Sequence, residues 1–233
     1  MPTHNSLLQD DAAGARLLEA QAHASALFAM VERDLIRPGI TEGQLEREIY
    51  TLAAEKFGVT THWHKRIVRA GPNTLQPYRE DPPDRMIGED DIVFLDFGPV
   101  FAAWEADFGR TFVLGNDPVK LRLRDDLAPI FQAAKARFHA DPGMTGEALY
   151  RVACDLAAEA GWEFGGVIAG HTVGEFPHER IEGDRITFYI TRGNQQPIRG
   201  KDSAGRTRHW ILEIHLVDRA RQIGGFYEEL LTV

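Results

Sequence analysis

The spacing of apolar positions along this chain switches between the helical and the strand period, and the switches divide it into elements. Residues 12–36 repeat Leu, Ala and Met at helical spacing, and Pro38-Gly39 ends the run. Thr41, followed three residues later by Gln44, resembles a capping box and opens a second predicted helix that closes at Gly58. Residues 61–70 (THWHKRIVRA) read as a strand, followed by a turn at 71–74 and a Pro-, Asp- and Arg-rich loop to Asp91. Helical periodicity returns over residues 120–139 after Asp117-Pro118, and Thr145 caps a further helix over 146–161. A Gly-rich segment (165–180), a short strand near 186–190 and a polar loop (192–209) complete the second half.

Two runs, 91–115 and 210–233, read as β-hairpins: apolar and aromatic stretches interrupted by Gly, Pro, Asp and Arg at a turn. Each carries a pair of acids placed symmetrically about its turn. The midpoint of Asp96 and Asp107 falls at Phe101/Ala102, and that of Glu213 and Glu228 at Ala220/Arg221. A symmetric hairpin puts the members of each pair opposite one another on one face. Like charges in that position are destabilising, and burial makes them more so. Either the hairpins are shifted in register and the acids face solvent, or a divalent cation compensates them; two such pairs in apolar strands favour the cation.

Each half of the chain thus reads as helices, then strands, then an acid-bearing hairpin. This predicts an α+β fold with pseudo-duplicated helices on an antiparallel sheet, as one domain over residues 1–233, residues 1–11 being a candidate disordered stretch. The formal charge of −9 argues against a nucleic-acid partner. The single cysteine, Cys154, rules out an internal disulfide and suits a reducing compartment. The first residues have neither the basic flank nor the apolar core of a signal peptide, and no apolar run approaches the length of a membrane span. The expected address is the cytoplasm.

Carboxylates with an imidazole suit Mn, Co, Fe or Zn. The histidines best placed to join the acids are His171 and His178, in the Gly-rich segment. Four carboxylates and one histidine can hold two ions about 3.5–4 Å apart. The order Asp96, Asp107, His171, Glu213, Glu228 resembles the metal signature of the methionine aminopeptidase/prolidase/creatinase, or pita-bread, family. The eleven-residue step between the aspartates matches. GHTVGEFPHE is similar to that family's Gly-His-x-x-Gly-x-x-x-His-Glu motif, ADFGRTF resembles the Asp-x-x-Arg-Thr-Phe form of its aminopeptidase P, prolidase and creatinase branch, and IVRAGPNT is similar to that branch too.

The resemblance, which covers residues 12–233, implies a pita-bread fold, a homodimer, two divalent metal ions and a small peptide or amide substrate cleaved by metal-activated water. It implies Asp96 on one ion, Asp107 and Glu228 bridging both, and His171 with Glu213 on the second. Glu213 is further implied as general base, and His178 as hydrogen-bond donor to the scissile carbonyl. Two departures stand out. Members of the family carry a histidine shortly before the first hairpin, where this chain has Tyr78. His62 and His64, two apart on one face of the predicted strand, are either a spatial substitute or ordinary strand histidines. The second departure is that the extra N-terminal domain of the prolidase branch has no counterpart expected ahead of Asp96.

Tyr78, His64 and Arg199 are the candidate substrate-binding residues, Arg199 because the loop holding Arg192, Arg199, Lys201, Arg206 and Arg208 could grip a peptide carboxylate. Trp63, Trp104 and Trp210 line the pocket or pack the core, and the core is assigned to each. His215, two residues after Glu213, shares its face. The rivals to a dinuclear hydrolase are a metal-free, creatinase-like C–N hydrolase and a binding module without turnover.

Overall fold

The computed structural model describes residues 4–76, 78–178, 186–201 and 205–233. Helix α1 (His4–Asp34) takes in most of that stretch, and residues 1–3 lie outside the described ones. Helix α2 (Glu42–Phe57) starts at the capping box foreseen: the Thr41 hydroxyl accepts from the Gln44 amide while the Gln44 side chain accepts from the Thr41 amide. Gly58 closes it in the left-handed conformation. Such a cap contributes on the order of 1 kcal/mol. Asp117 and Thr145 likewise cap α3 (Pro118–Ala140) and α4 (Gly146–Glu159).

The strands are β1 (Ile67–Ala70), β2 (Ile92–Phe97), β3 (Val100–Phe101), β4 (Trp104–Glu105), β5 (Phe108–Val113), β6 (Glu163–Phe164), β7 (Ile168–Val173), β8 (Tyr189–Thr191), β9 (His209–Asp218) and β10 (Ile223–Leu230). One antiparallel sheet runs in the order β1-β2-β5-β10-β9-β7-β8, with β6 beside β9. The two halves of the chain therefore join at β5 and β10, and the acid-bearing strands flank that seam.

The expected strand over 61–70 is shorter: only residues 67–70 pair with β2. Ahead of them the backbone binds the start of the first hairpin, with the Trp63 amide donating to Gly98 O at 2.9 Å and the Val100 amide to Thr61 O at 3.0 Å. His62 and His64 consequently part company. The His62 ring packs near Tyr50 and Phe97, whereas the His64 ring turns toward the acids. The expected turn after β1 is a 3-10 helix, Gly71–Leu75.

Alternation along the strands separates packing from chemistry. Val93, Leu95 and Phe97 of β2 bury against Leu27, Phe28, Leu45 and Ile49 of α1 and α2. Leu212, Ile214 and Leu216 of β9 bury against Leu123 and Phe131 of α3 and Leu149 of α4. Each such side chain stabilises the fold by roughly 1.5–3 kcal/mol. The helices thus occupy one face, and Asp96, Glu213 and Glu228 project from the other.

The second hairpin has the register read from its symmetry: Glu213 lies directly opposite Glu228. The first does not. Its turn is centred on Ala102-Ala103, both with positive φ (45° and 76°), one residue later than expected. Two consecutive left-handed residues make the tight turn whose twist suits a hairpin. As a result Asp96 faces Gly109 rather than Asp107. Gly109 also faces Glu228 on its other side, so a residue without a side chain separates two carboxylates. A Cβ there would meet the Phe226 ring at 2.4 Å and the Glu228 Cβ at 3.1 Å. Gly109→Ala should therefore lower the unfolding free energy by roughly 1–3 kcal/mol, seen as a lower urea midpoint. An unchanged midpoint would show that Phe226 yields freely.

Candidate metal centre

Four acids and two histidines meet where the two halves join. Asp96, Asp107 and Glu228 are buried. Ligand atoms of His64, Asp96 and Asp107 lie within 4.8 Å of one another, as do those of Asp107, His171 and Glu228. Asp107 belongs to both groups: its Oδ1 lies 3.0 Å from His64 Nε2 and its Oδ2 lies 3.2 Å from His171 Nε2. Asp96 Oδ1 is 3.6 Å from His64 Nε2. Asp107 thus reaches the site despite the shifted turn, from the residue just ahead of β5.

Electrostatics strain this cluster. Burial pushes the Asp96 carboxyl up to about 7 against the pull of His64, and the Asp107 carboxylate adds to the rise. Burial likewise takes Glu213 up to about 8, opposed by His171 and aided by Asp96 and Asp107. Glu228 is raised well above the carboxylate range by burial and by the three neighbouring acids. Burial works against ionisation of Asp107 too, yet His64 and His171 hold that carboxyl below its usual range. Burial opposes the charged form of His64, but Asp107 and Asp96 outweigh it and raise the imidazole to about 9. His171 is raised in the same way, chiefly by Asp107. The acids therefore demand positive charge, as protons or as metal, and the two compete for the same lone pairs.

The donors fit a divalent cation on a second count. Glu213 Oε1 and Glu228 Oε2 are buried with no hydrogen-bond partner among the described residues. Unsatisfied buried carboxylate oxygens are costly, and a shared cation satisfies both.

His178 sits at the margin of the cluster and is held by Glu105, which sequence reasoning missed. Glu105 is 1% exposed. Its carboxylate accepts the amides of Gly174 and His178 at 3.2 Å each, and Oε2 lies 2.5 Å from His178 Nδ1. The signal was available: Glu105 stands two residues before Asp107, the spacing that puts strand neighbours on one face. Trp63 was assigned to the core, but its ring lies edge-on to three histidines, with centroids 4.5, 5.2 and 5.3 Å from His64, His171 and His178. Its indole donates to Ala106 O at 3.0 Å. Trp210 is in the core as expected, and Trp104 is half-buried beside the helices.

Arg199 is a correction. It is not at the site: its guanidinium donates to the carbonyls of Phe138 and Asp141 at 3.0 Å each and covers the Phe138 ring. It thereby supplies a donor to the Phe138 carbonyl in the last turn of α3. The basic loop is similarly engaged elsewhere, with Arg192 over Tyr150 and Arg208 over Phe188; residues 202–204 lie outside the described ones. Tyr78 is half-exposed, its ring centroid 5.9 Å from that of His64, and its oxygen accepts the Lys65 amide at 3.3 Å. His215 binds away from the acids: its Nε2 donates to Thr74 O at 2.8 Å, tying the 3-10 helix to β9.

A mostly antiparallel α+β sheet with such a donor set defines a metal-site protein of the pita-bread class. Residues 15–201 match metallopeptidase family M24, and the chain belongs to that family. It is 32% identical over 166 residues to the Xaa-Pro dipeptidase of Lactobacillus helveticus, covering 68% of this chain and 43% of that one. It is 31% identical over 149 residues to the Xaa-Pro dipeptidase of Pyrococcus horikoshii, covering 60% and 40%. The fold matches the dipeptidase PepE from Mycobacterium ulcerans with a TM-score of 0.70 at 24% identity, over 94% of this chain and 54% of that one. It matches the X-Pro aminopeptidase from Thermotoga maritima with 0.71 at 19% identity, over 96% and 61%. The chain thus spans about two-fifths of the length of these curated relatives. Among the described residues, no helix is long and apolar enough to cross a membrane.

Glu105→Ala would leave two amides and a ring nitrogen without their acceptor. Each such buried group costs about 1–3 kcal/mol, so a clear drop in the thermal midpoint is expected, with Glu105→Gln intermediate. An unchanged midpoint in Glu105→Ala would mean that water replaces the carboxylate at no cost.

Proposed function

We propose that the chain is a dinuclear metal-dependent peptidase acting on short peptides, with Xaa-Pro peptides as the leading substrate class. The observation that carries this reading is the convergence of His64, Asp96, Asp107, His171 and Glu228, with Glu213 close enough to feel the charges of Asp96, Asp107 and His171 and with glutamate oxygens that have no hydrogen-bond partner among the described residues. The substrate class rests on the names of the relatives, Xaa-Pro dipeptidases among them. Mn, Co, Fe and Zn all suit such donors.

In this reading Asp96 serves one ion, His171 and Glu213 the other, and Asp107 and Glu228 both. A bound pair of such ions supplies Lewis acidity and lowers the pKa of water. Glu213, whose Oε1 has no hydrogen-bond partner among the described residues, accepts the proton released when water adds to the peptide carbonyl. His178 donates a hydrogen bond to the carbonyl oxygen as negative charge develops there, and Glu105 holds its ring at the angle that requires. Tyr78, its oxygen already accepting from Lys65, keeps its O–H free to donate to a bound peptide at the rim. Arg199 takes no part. The binding-module alternative drew on the missing histidine near Tyr78; the Xaa-Pro dipeptidase relatives favour the peptidase reading over it.

Asp107→Ala and Glu228→Ala should each lose metal, by elemental analysis, along with hydrolysis. His178→Ala should keep its metal and lose about 10²–10³-fold in kcat, the usual effect of removing one such donor. The substrate assignment is tested with dipeptides, Xaa-Pro peptides and N-terminal Met peptides, in Mn and in Co. A fully loaded protein that cleaves none of them would sink the peptidase reading.

A further inference from the structure

His64 and His171 are built alike. In each ring Nδ1 faces the carbonyl of the following residue, Lys65 O at 2.7 Å and Thr172 O at 2.9 Å. A carbonyl can only accept, so Nδ1 carries the proton, and in the neutral ring Nε2 presents its lone pair. This is the arrangement by which a protein fixes a metal-binding histidine. Each Nε2 then faces a different oxygen of Asp107, and both rings stand edge-on to Trp63. Gly98 makes room for the His64 ring, since a Cβ there would lie 2.3 Å from His64 Cδ2 and 2.4 Å from the Trp63 indole nitrogen.

We propose that His64 is a direct ligand of the ion held by Asp96 and Asp107, giving each of the two ions its own imidazole. The proposal rests on the dinuclear reading above and adds a donor to it. Its distances suit the role. Two donors on one ion, each at about 2.0–2.2 Å, stand roughly 3.0–3.4 Å apart in octahedral or tetrahedral geometry. His64 Nε2 lies 3.0 Å from Asp107 Oδ1, inside that range, and 3.6 Å from Asp96 Oδ1, just beyond it. A charge-assisted hydrogen bond between imidazolium and carboxylate would be nearer 2.7–2.9 Å. The chemical consequence concerns the choice of metal. A carboxylate-only shell suits Mn, whereas an added imidazole favours Co, Ni and Zn, so both ions of this chain prefer the later metals.

The test uses the full chain stripped with a chelator, then titrated with Co, Zn and Mn and followed by calorimetry, elemental analysis and the visible spectrum of bound Co. The wild type should bind two ions. His64→Ala and His64→Phe, the latter keeping an aromatic ring against Trp63, should bind one of them at least about 100-fold more weakly, the upper end of what even an outer partner is worth. The loss should be larger for Co and Zn than for Mn, the Co spectrum should change, and circular dichroism should report a retained fold. Wild-type affinity for both ions in both variants would overturn the assignment while leaving the peptidase reading intact. One ion in the wild type and two in His64→Phe would also overturn it, showing that the imidazolium occupies the position of an ion. No bound ion in the wild type would overturn both readings.

Discussion

Asp107 is the residue on which the rest of the site depends. It is a buried carboxylate with one oxygen given to each of two histidines, and the other acids are arranged around it. Burial penalises charge on every one of them, yet only Asp107 is held below the ordinary carboxylate range. An isolated ion in such a place would cost several kcal/mol or more. The fold sustains it by keeping the apolar work on the opposite face of the sheet, where the two pairs of helices pack.

That division follows from the duplicated plan. Each half contributes two helices and a hairpin, with one strand ahead of the hairpin in the first half and three in the second, and the halves join through β5 and β10. Acids near the seam therefore come from both halves, Asp96, Glu213 and Glu228 from strands and Asp107 from the residue just ahead of β5. Loops also supply the two histidines outside the strands: His64 from the segment before β1, and His178 from the stretch after β7. On the far side of β1, Glu42 and His215 anchor the 3-10 helix that follows it. Glu42 accepts the Ala70 amide at 2.6 Å and the Asn73 side chain at 2.9 Å, and His215 holds Thr74.

Much of this was legible in the sequence, for physical reasons that differ by element. The helix caps were readable because Thr41, Gly58, Asp117 and Thr145 act through neighbours a few residues away. The Glu213–Glu228 pair was readable because a four-residue turn separates two long strands in uniform register. The first hairpin misled because Ala102-Ala103 carries none of the Gly, Asn or Asp that usually betray a left-handed turn, so its centre was set one residue early. Residues 61–66 alternate like a strand but spend their hydrogen bonds on the hairpin instead. Arg199 looked available because nothing in a sequence shows which helix end will recruit a guanidinium. Glu105 was hidden among more familiar motifs, although strand alternation alone places it beside Asp107.

The Ala102-Ala103 tip has a meaning beyond register. Left-handed backbone costs an L-residue with a Cβ roughly 1–2 kcal/mol, and this chain accepts that cost twice in succession at an exposed point. Stability has thus been left unclaimed at a hairpin tip where Asn or Gly would relieve the backbone, provided the Ala103 carbonyl goes on accepting the Phe176 amide at 2.7 Å. A lineage or a designer could draw on that reserve to offset a harmful change at the acids, without rearranging anything near them.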